Sequence, residues 1–170
     1  MPLIGTKNNR GIFNNLLKDL IPDNIELYVE PFGGEFGLYE IMSIKPKISI
    51  YNDINFELYN KIIEKYKNNK AIYCYNVDYK KIIYDFDCED VFFYLDPPYI
   101  ENETYYSNHT FLKKENHIEL ANILYNIKGK FLLSYQDRQL IRELYKKFNF
   151  YKYSGYNFIL KPEIAITNYL

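Results

Sequence analysis

The sequence has no tryptophan, and it contains only two cysteines, two histidines and two methionines in 170 residues. Two cysteines exclude a disulfide framework, and Cys74 and Cys88 fit no metal-binding or redox spacing, so we expect reduced, packed thiols. No stretch approaches the ~20 apolar residues that a membrane helix needs, which predicts no membrane contact. The N-terminal segment MPLIGTKNNRG also lacks the apolar core and cleavage site of a secretory signal. We therefore expect a location inside a cell, either cytoplasmic or, for a viral protein, within the host.

The sequence has no excess of charge of one sign, since it contains 21 Lys and Arg and 22 Asp and Glu. No global basic field attracts phosphates, so any contact with nucleic acid must be local. Apolar residues at 48% and charged residues at 25% are typical of a globular protein. A chain of this length buries roughly 70% of its unfolded surface in one core. We expect a single domain over residues 1–170.

Short apolar runs rich in β-branched and aromatic residues alternate with helical patterns. The runs predict about seven strands, at 25–30, 48–53, 71–76, 91–96, 130–135, 148–154 and 163–169. Apolar residues spaced i, i+3, i+4 predict helices between them, on faces formed by Phe13, Leu16, Leu17 and Leu20, by Tyr59, Ile62, Ile63 and Tyr66, by Leu120, Leu124 and Ile127, and by Leu140, Ile141, Leu144 and Tyr145. This alternation predicts an α/β fold with a mostly parallel sheet, helices on both faces and an antiparallel pair of strands at the C-terminus.

Conspicuous residues follow the first four predicted strands, where an open parallel sheet places its ligand site. After the first strand, EPFGGEFG brings two adjacent glycines, Gly33 and Gly34, which permit close approach of a ligand to the backbone. The alternative interpretation is a tight strand-to-helix turn without a ligand. Asp53 stands where an acid accepts hydrogen bonds from ribose hydroxyls, and Asp78 could bind an adenine edge. Each could instead cap a helix, with Asn55 or Asn52 as other candidates for the cap near Asp53.

The tetrapeptide Asp96-Pro97-Pro98-Tyr99 ends the fourth predicted strand. Both prolines lack an N–H and fix φ, so the chain leaves the sheet in a stiff, extended form. The Asp96 carboxylate and the Pro97 carbonyl are then two acceptors in fixed geometry, followed by an aromatic ring at Tyr99. This arrangement suits an exocyclic amine, which donates its two hydrogens to the acceptors while Tyr99 stacks on the heterocycle. The alternative is a rigid strand exit without a ligand.

Aromatic and cationic residues alternate in the segment 100–117. Stacking on unpaired bases and neutralisation of phosphate are the expected roles of Tyr105, Tyr106, Lys113 and Lys114. A polar surface loop is the alternative interpretation. His109 and His117 have no Asp, Glu or Cys at ligand spacing, so we expect no metal site, and we expect His117 to begin a helix.

The motifs VEPFGGEFGLYE, YNDIN, YCYNVDYKKI and FFYLDPPY, in this order, resemble those of the Dam-type DNA adenine methyltransferases, which use S-adenosylmethionine. The resemblance covers nearly the whole chain, since LIGTK is similar to the family's opening element and FLLSYQD and EIAITNY to its late strands. It implies a Rossmann-like methyltransferase sheet and methyl transfer to the amino group of an adenine flipped out of its helix.

The resemblance also implies roles for individual residues. Binding of the cofactor falls to Lys7, Glu30, Phe32, Gly33, Gly34, Asp53, Asp78 and Tyr79. Within this set, Phe32 and the two glycines would lie under the methionine half, Asp53 would hold the ribose, and Asp78 with Tyr79 the adenine. Lys7 would sit beside the cofactor and target pockets. The target base would be held by Asp96, Pro97, Pro98 and Tyr99.

Two departures from the family pattern bear on function. The glycine turn of the family usually reads Phe-x-Gly-x-Gly, whereas the last position here is Phe36, which implies either a different turn or an altered affinity for the cofactor. The long target-recognition insertion that usually precedes Asp-Pro-Pro-Tyr is missing between Asp78 and Asp96. Base readout would then come from short loops, from a second copy or partner subunit, or not occur.

The resulting hypothesis is a DNA adenine N6-methyltransferase. Two alternatives remain open at this point. One is a catalytically idle subunit that binds nucleic acid or a partner, and the other is an adenine methyltransferase that acts on RNA or single-stranded DNA.

Overall fold

A computed structural model describes residues 11–99, 114–152 and 163–170. The strands are β1 (Leu27–Glu30), β2 (Ile48–Asn52), β3 (Ile72–Tyr75), β4 (Val91–Leu95), β5 (Lys130–Gln136), β6 (Asn149–Lys152) and β7 (Glu163–Thr167). The helices of the described segments are α1 (Gly11–Leu20), α2 (Gly37–Ile41), α3 (Phe56–Tyr66), α4 (Tyr79–Phe86), α5 (Lys114–Tyr125) and α6 (Gln139–Leu144). Each predicted strand is present, with ends that differ by at most two residues from the predicted ones.

The seven strands form one sheet in the order β3-β2-β1-β4-β5-β7-β6. Strands β1 to β5 run parallel to one another, whereas β7 runs antiparallel to both β5 and β6. The predicted mostly parallel sheet with an antiparallel C-terminal pair is confirmed. Because β4 inserts beside β1, the strand order reverses between these two strands.

Helices cover both faces of the sheet. All five residues of β4 are buried, as expected for a central strand with both faces covered. Its odd-numbered residues, such as Phe93, pack with residues of α4, α5 and α6. Phe92 and Tyr94 point to the opposite face and pack with residues of α1, α2 and α3. Successive residues of β4 therefore point alternately into two hydrophobic cores, one on each face of the sheet.

Three expectations about single residues are wrong. Ile63 was predicted on the buried face of α3, but it is 37% exposed, because the sheet-facing stripe of this short helix consists of Ile62 with Tyr66 beside it. Cys88 was predicted to be packed, but it lies exposed in the turn between α4 and β4, while Cys74 is half-buried. His117 lies inside α5 rather than at its start.

Across the three described ranges, no helix combines the length and the apolar content that crossing a bilayer requires.

Candidate active site

The predicted site residues gather at the carboxyl edge of the sheet, around the gap between β1 and β4. Parallel pairing in the register Leu27↔Val91 brings the ends of these two strands side by side. The glycine turn after β1 and the Asp-Pro-Pro-Tyr segment after β4 therefore become neighbours, although more than 60 residues separate them in the sequence. Reversal of strand order at this gap is the feature that opens a crevice in an α/β sheet.

The turn after β1 keeps left-handed backbone at two positions. Gly34 has φ 50° and Phe36 has φ 59°, and the Phe36 N–H donates to the Gly33 carbonyl at 2.7 Å. A Cβ on Gly33 would lie 2.3 Å from Cε2 of Tyr51, so this position tolerates only glycine. A Cβ on Gly34 would meet no atom within 4 Å. The turn thus presents open space above Gly34, where a ligand could approach the backbone.

Phe36 adopts the backbone conformation for which the family uses glycine. A side chain in the left-handed region costs roughly 1–2 kcal/mol. The ring itself is fully buried beneath the turn, stacked on Tyr39 at 4.5 Å and edge-on to Tyr51 and Tyr66. Whether this departure alters the turn or the affinity for the cofactor stays a prediction. The ring also leaves the ligand side of the turn open.

Asp53 connects the ends of β1 and β2. Its Oδ2 accepts from the Gly34 N–H at 2.8 Å, and its Oδ1 accepts from the Asn55 N–H at 2.8 Å. The N-cap of α3 is Asn55, whose side chain accepts from Glu57 and Leu58. Asp53 is therefore not the helix cap, and its carboxylate stands directly beside the glycine turn.

Asn52 holds three loops of the site together, a role that the sequence did not indicate. The side chain is fully buried, and its Nδ2 donates to the Pro31 carbonyl at 2.9 Å and to the Val77 carbonyl at 3.0 Å. Its Oδ1 accepts from the Val77 N–H at 3.0 Å. The loops after β1, β2 and β3 are thus tied through one amide.

Phe32 and Tyr79 stack on each other across the site, with ring centroids 4.9 Å apart. Tyr79 is buried, and burial raises the pKa of its phenol. Asp78 caps α4, since its Oδ1 accepts from the Lys80 N–H at 2.8 Å, so the capping interpretation is confirmed. A cap at this point also fixes the position of Tyr79 in the first turn of the helix.

Glu30, the last residue of β1, is an acid buried to 1% exposure. Its Oε1 accepts from the Tyr28 hydroxyl at 2.5 Å and from the Tyr39 N–H at 3.3 Å. Burial, with a smaller contribution from the charge of Asp96, raises the pKa of Glu30 to about 8, although these hydrogen bonds lower it. Glu30 is therefore mostly protonated at neutral pH, and Asp96 lies within its electrostatic reach.

Asp96 lies on the same face of the sheet as Glu30 and α2. The alternation along β4 continues through Phe92 and Tyr94 to Asp96, and the charge of Asp96 raises the pKa of the buried Tyr94 phenol after burial itself. Pro97 is buried and Pro98 half-buried, as expected for a stiff exit from the sheet. The Asp96 carboxylate thus lies at the carboxyl edge of the sheet, and its charge affects Glu30 and Tyr94 on one face and Tyr135 on the other.

Tyr99 is more enclosed than its predicted role as a stacking platform requires. The ring is buried and lies 5.9 Å from that of Tyr135, while its hydroxyl lies 3.3 Å from Oδ1 of Asp96. The hydroxyl is also 3.5 Å from Oγ of Ser134 and 3.4 Å from Oε1 of Glu163. Neither of these two residues was found from the sequence. Stacking of Tyr99 on a base stays a prediction.

Of the remaining predicted residues, only Lys114 belongs to the part of the chain that the structure describes. Lys7, Tyr105, Tyr106, Lys113 and His109 lie outside the described residues. Lys114 is the exposed first residue of α5. Within the described ranges, no group of three or more His, Cys, Asp or Glu side chains is arranged to hold a metal ion.

Residues 60–156 match the family of D12 class N6 adenine-specific DNA methyltransferases. The match spans more than half of the chain, and it includes α4, β4 and the Asp-Pro-Pro-Tyr segment. The protein belongs to this family, as the resemblance of its motifs predicts. No curated protein matches the sequence.

Solved structures, two methyltransferase domains among them, share the fold. The delta-N METTL16 methyltransferase domain is 12% identical and superposes with a TM-score of 0.66, covering 98% of this chain and 85% of that one. The human methyltransferase 10 domain containing protein gives 0.64 at 11% identity, with coverages of 97% and 82%. A conserved hypothetical protein of Streptococcus pyogenes gives 0.59 at 15% identity, with 93% of both chains covered. The sheet is therefore a Rossmann-like methyltransferase sheet.

Family and fold together imply the use of S-adenosylmethionine. The residues present fit this molecule: the space above Gly34 admits a ligand close to the backbone, and Asp53 holds a carboxylate beside it. The stacked rings of Phe32 and Tyr79 add an aromatic surface at the same edge. Such a combination of open glycine turn, acid and aromatic rings suits a nucleoside with a charged amino-acid tail.

Proposed function

We propose that the protein transfers a methyl group from S-adenosylmethionine to the N6 amino group of adenine in DNA. One observation carries the proposal: Asp96 directly follows β4, which pairs with β1 so that Asp96 and the glycine turn lie at the same edge of the sheet, and its charge reaches the buried Glu30. The matched family is that of N6 adenine-specific DNA methyltransferases, and the match over residues 60–156 includes the Asp-Pro-Pro-Tyr segment. The target adenine would be flipped out of the duplex into this crevice.

Asp96 and Pro97 act as paired acceptors in this proposal. The two hydrogens of the amine are donated to the Asp96 carboxylate and the Pro97 carbonyl, which draws electron density on nitrogen out of the ring plane toward the methyl donor. S-adenosylmethionine supplies the methyl group already activated on a sulfonium. The contribution of the protein is therefore mainly the alignment of the amine, and no base need remove a proton before attack. The carboxylate stabilises the positive charge that develops on the base.

RNA or single-stranded DNA is the second candidate substrate. Between Asp78 and Asp96 the chain forms only α4, a short turn and β4, which leaves no insertion for reading a duplex. The idle-subunit alternative has less support, because the Phe36 ring is buried beneath the glycine turn and the space above Gly34 is open.

The test is methyl transfer from labelled S-adenosylmethionine to duplex DNA, single-stranded DNA and RNA, followed by mass spectrometry of the nucleosides. We expect N6-methyladenine in duplex DNA from the wild type and a loss of turnover of at least ~100-fold in Asp96→Ala, because the paired acceptor is lost. Asp90→Ala is the matched control, since this aspartate is exposed in the turn before β4. Calorimetry should show S-adenosylmethionine binding nearly intact in Asp96→Ala. An Asp96→Ala protein with a tenth of wild-type transfer would contradict the assignment.

A further inference from the structure

Three side-chain oxygen atoms lie around the Tyr99 hydroxyl. They belong to one residue directly after β4, one residue of β5 and one residue of β7. Oδ1 of Asp96, Oε1 of Glu163 and Oγ of Ser134 are 3.3, 3.4 and 3.5 Å from the hydroxyl. The buried ring, packed against Tyr135, keeps the hydroxyl in this position. A phenol has one proton to donate, so the hydroxyl can give it to one carboxylate while it accepts from another group.

Sheet topology explains why Glu163 reaches this point. The register Leu95↔Leu133 places Asp96, one residue further on, next to Ser134. Ser134 in turn pairs with Ala165 of the antiparallel strand β7. Because β7 runs in the opposite direction, its first residue, Glu163, lies at the same edge as the last residues of β4 and β5.

Three carboxylates at this edge of the sheet lie close enough to one buried phenol to affect its pKa. The charges of Asp96, Glu30 and Glu163 all raise the pKa of the buried Tyr94 phenol, although burial is the larger cause. Glu30 is buried, whereas Glu163 is only half-buried at the end of the sheet. Asp96 and Glu163 are both half-buried and both contact the Tyr99 hydroxyl, so Glu163 is a second acid through which a proton from Asp96 can reach water.

Methyl transfer leaves a proton that must be removed. As the N6–carbon bond forms, the electron pair of the sulfur–carbon bond stays on sulfur, and the amine nitrogen carries the methyl group, two hydrogens and a positive charge. A neutral product needs the loss of one of these hydrogens as a proton. The Asp96 carboxylate already accepts a hydrogen bond from this amine in the proposed geometry, so it is the nearest acceptor.

The geometry points to Glu163 as a positioning residue that, through the Tyr99 hydroxyl, receives the proton from Asp96 and passes it to water. This inference rests on the proposed function. The Tyr99 oxygen takes the proton from Asp96 as its own proton moves to Glu163, so that charge and hydrogen count balance and the Asp96 carboxylate is restored. Ser134 supports the hydroxyl from the third side. Only protons move in this transfer, and the oxygen atoms of Asp96, Tyr99 and Glu163 keep their positions.

The test compares Glu163→Gln, Glu163→Asp and Tyr99→Phe in the full chain, on the nucleic acid that the wild type methylates. We expect Glu163→Gln to lower kcat by about 10-fold or more, since an amide cannot accept the proton, while both KM values change by less than about twofold. Glu163→Asp keeps a carboxylate and should recover most of the rate. Glu143→Gln, the same change at an exposed position of α6, is the matched control.

A double variant separates the proton path from a general loss of structure. Tyr99→Phe/Glu163→Gln should be no slower than Tyr99→Phe alone, because both changes interrupt the same path. Binding provides a readout apart from turnover: the fluorescence of 2-aminopurine at the methylated position should show capture by Glu163→Gln within about twofold of the wild type. Effects that multiply, or a Glu163→Gln protein at the wild-type rate, would overturn the inference.

The outcomes distinguish this inference from the proposed function. If Asp96→Ala is inactive and Glu163→Gln is fully active, adenine methylation stands and the role of Glu163 is wrong. If the wild type methylates no adenine in DNA or RNA, or if Asp96→Ala remains active, the proposed function fails and the inference fails with it.

Discussion

Glu30 is an acid whose environment favours its neutral form. It is buried between the Tyr28 hydroxyl and the N-terminal turn of α2, close enough to Asp96 to feel its charge. A protonated Glu30 lets Asp96 remain the charged acceptor of the pair, because two ionised carboxylates would repel each other at this edge. His117 shows the opposite case, since burial beside Tyr135 lowers its pKa to about 4.

These two groups give stability opposite dependences on pH. The pKa of Glu30 is about 8 in the folded protein against 4.5 for the free side chain, so the free energy of unfolding falls as the pH rises between these values. The pKa of His117 is about 4 against 6.5, so its contribution rises with pH and is complete above 6.5. We therefore expect unfolding in urea to show a loss of about 1–2 kcal/mol between about pH 6.5 and pH 8, which Glu30→Gln abolishes. Equal pH dependence in the wild type and this variant would show that Glu30 is ionised in the fold.

Phe36 combines an unfavourable backbone with a favourable ring. Removing the ring from its buried site should cost about 3–5 kcal/mol, whereas glycine relieves about 1–2 kcal/mol of backbone strain. We expect both Phe36→Gly and Phe36→Ala to be destabilised in urea, with alanine the less stable because it keeps the left-handed φ. A Phe36→Gly protein as stable as the wild type would mean that the aromatic cluster contributes little.

At the scale of elements, the site is held by connections between strand ends rather than by the strands alone. The Asn52 amide joins the loops after β1 and β3, and the Asp53 carboxylate joins the glycine turn to the start of α3. Asn55 has a separate task, since it caps α3. Replacing Asn52 should therefore affect the loops of the site, whereas replacing Asn55 should affect only the start of α3.

Asn52→Ala and Asn55→Ala form a matched pair for this difference. Asn52→Ala removes the side-chain partners of the Pro31 carbonyl and of the Val77 N–H and carbonyl, and it should cost about 2–4 kcal/mol. Loss of the Asn55 cap should cost about 0.5–2 kcal/mol. Calorimetry should show weaker S-adenosylmethionine binding only in Asn52→Ala, because only its loops line the crevice. Similar binding by both variants would show that the Asn52 amide does not shape the site.

At the scale of the whole molecule, the fold could be predicted further than the site. Apolar runs were sufficient for the seven strands, and the closeness of the last two was sufficient for their antiparallel pairing. The glycine turn, Asp53 and Asp96 were found because parallel strands end at one edge. Ser134 and Glu163 were not, because they reach this edge through pairing with β7, which no local pattern shows. The role of Asn52 was missed because, in the sequence, an asparagine that links loops cannot be told from one that caps a helix. The positive φ of Phe36 was not predicted because it depends on the tertiary packing of the ring.

Ligand binding across the β1–β4 gap should stabilise the entire sheet. At 100 times its Kd, S-adenosylmethionine adds about 2.7 kcal/mol, or roughly 5–11 °C in Tm for a chain of this size. Asp53→Ala should lower the Tm of the free protein and remove most of this ligand-induced shift. Asp23→Ala, at an exposed position before β1, should keep the full shift. A full shift in Asp53→Ala would exclude this carboxylate from the binding site.

The position of β4 beside β1 also sets the order in which the protein can be completed during synthesis. Strands β1, β2 and β3 leave the ribosome first, yet the second edge of β1 stays unpaired until Leu95 has emerged. Until then the nascent chain contains the glycine turn on one side of the crevice, while Asp96 and Pro97 on the other side are still in the exit tunnel. Both halves of the crevice are joined only when β4 pairs with β1, so the proposed site is completed late in translation.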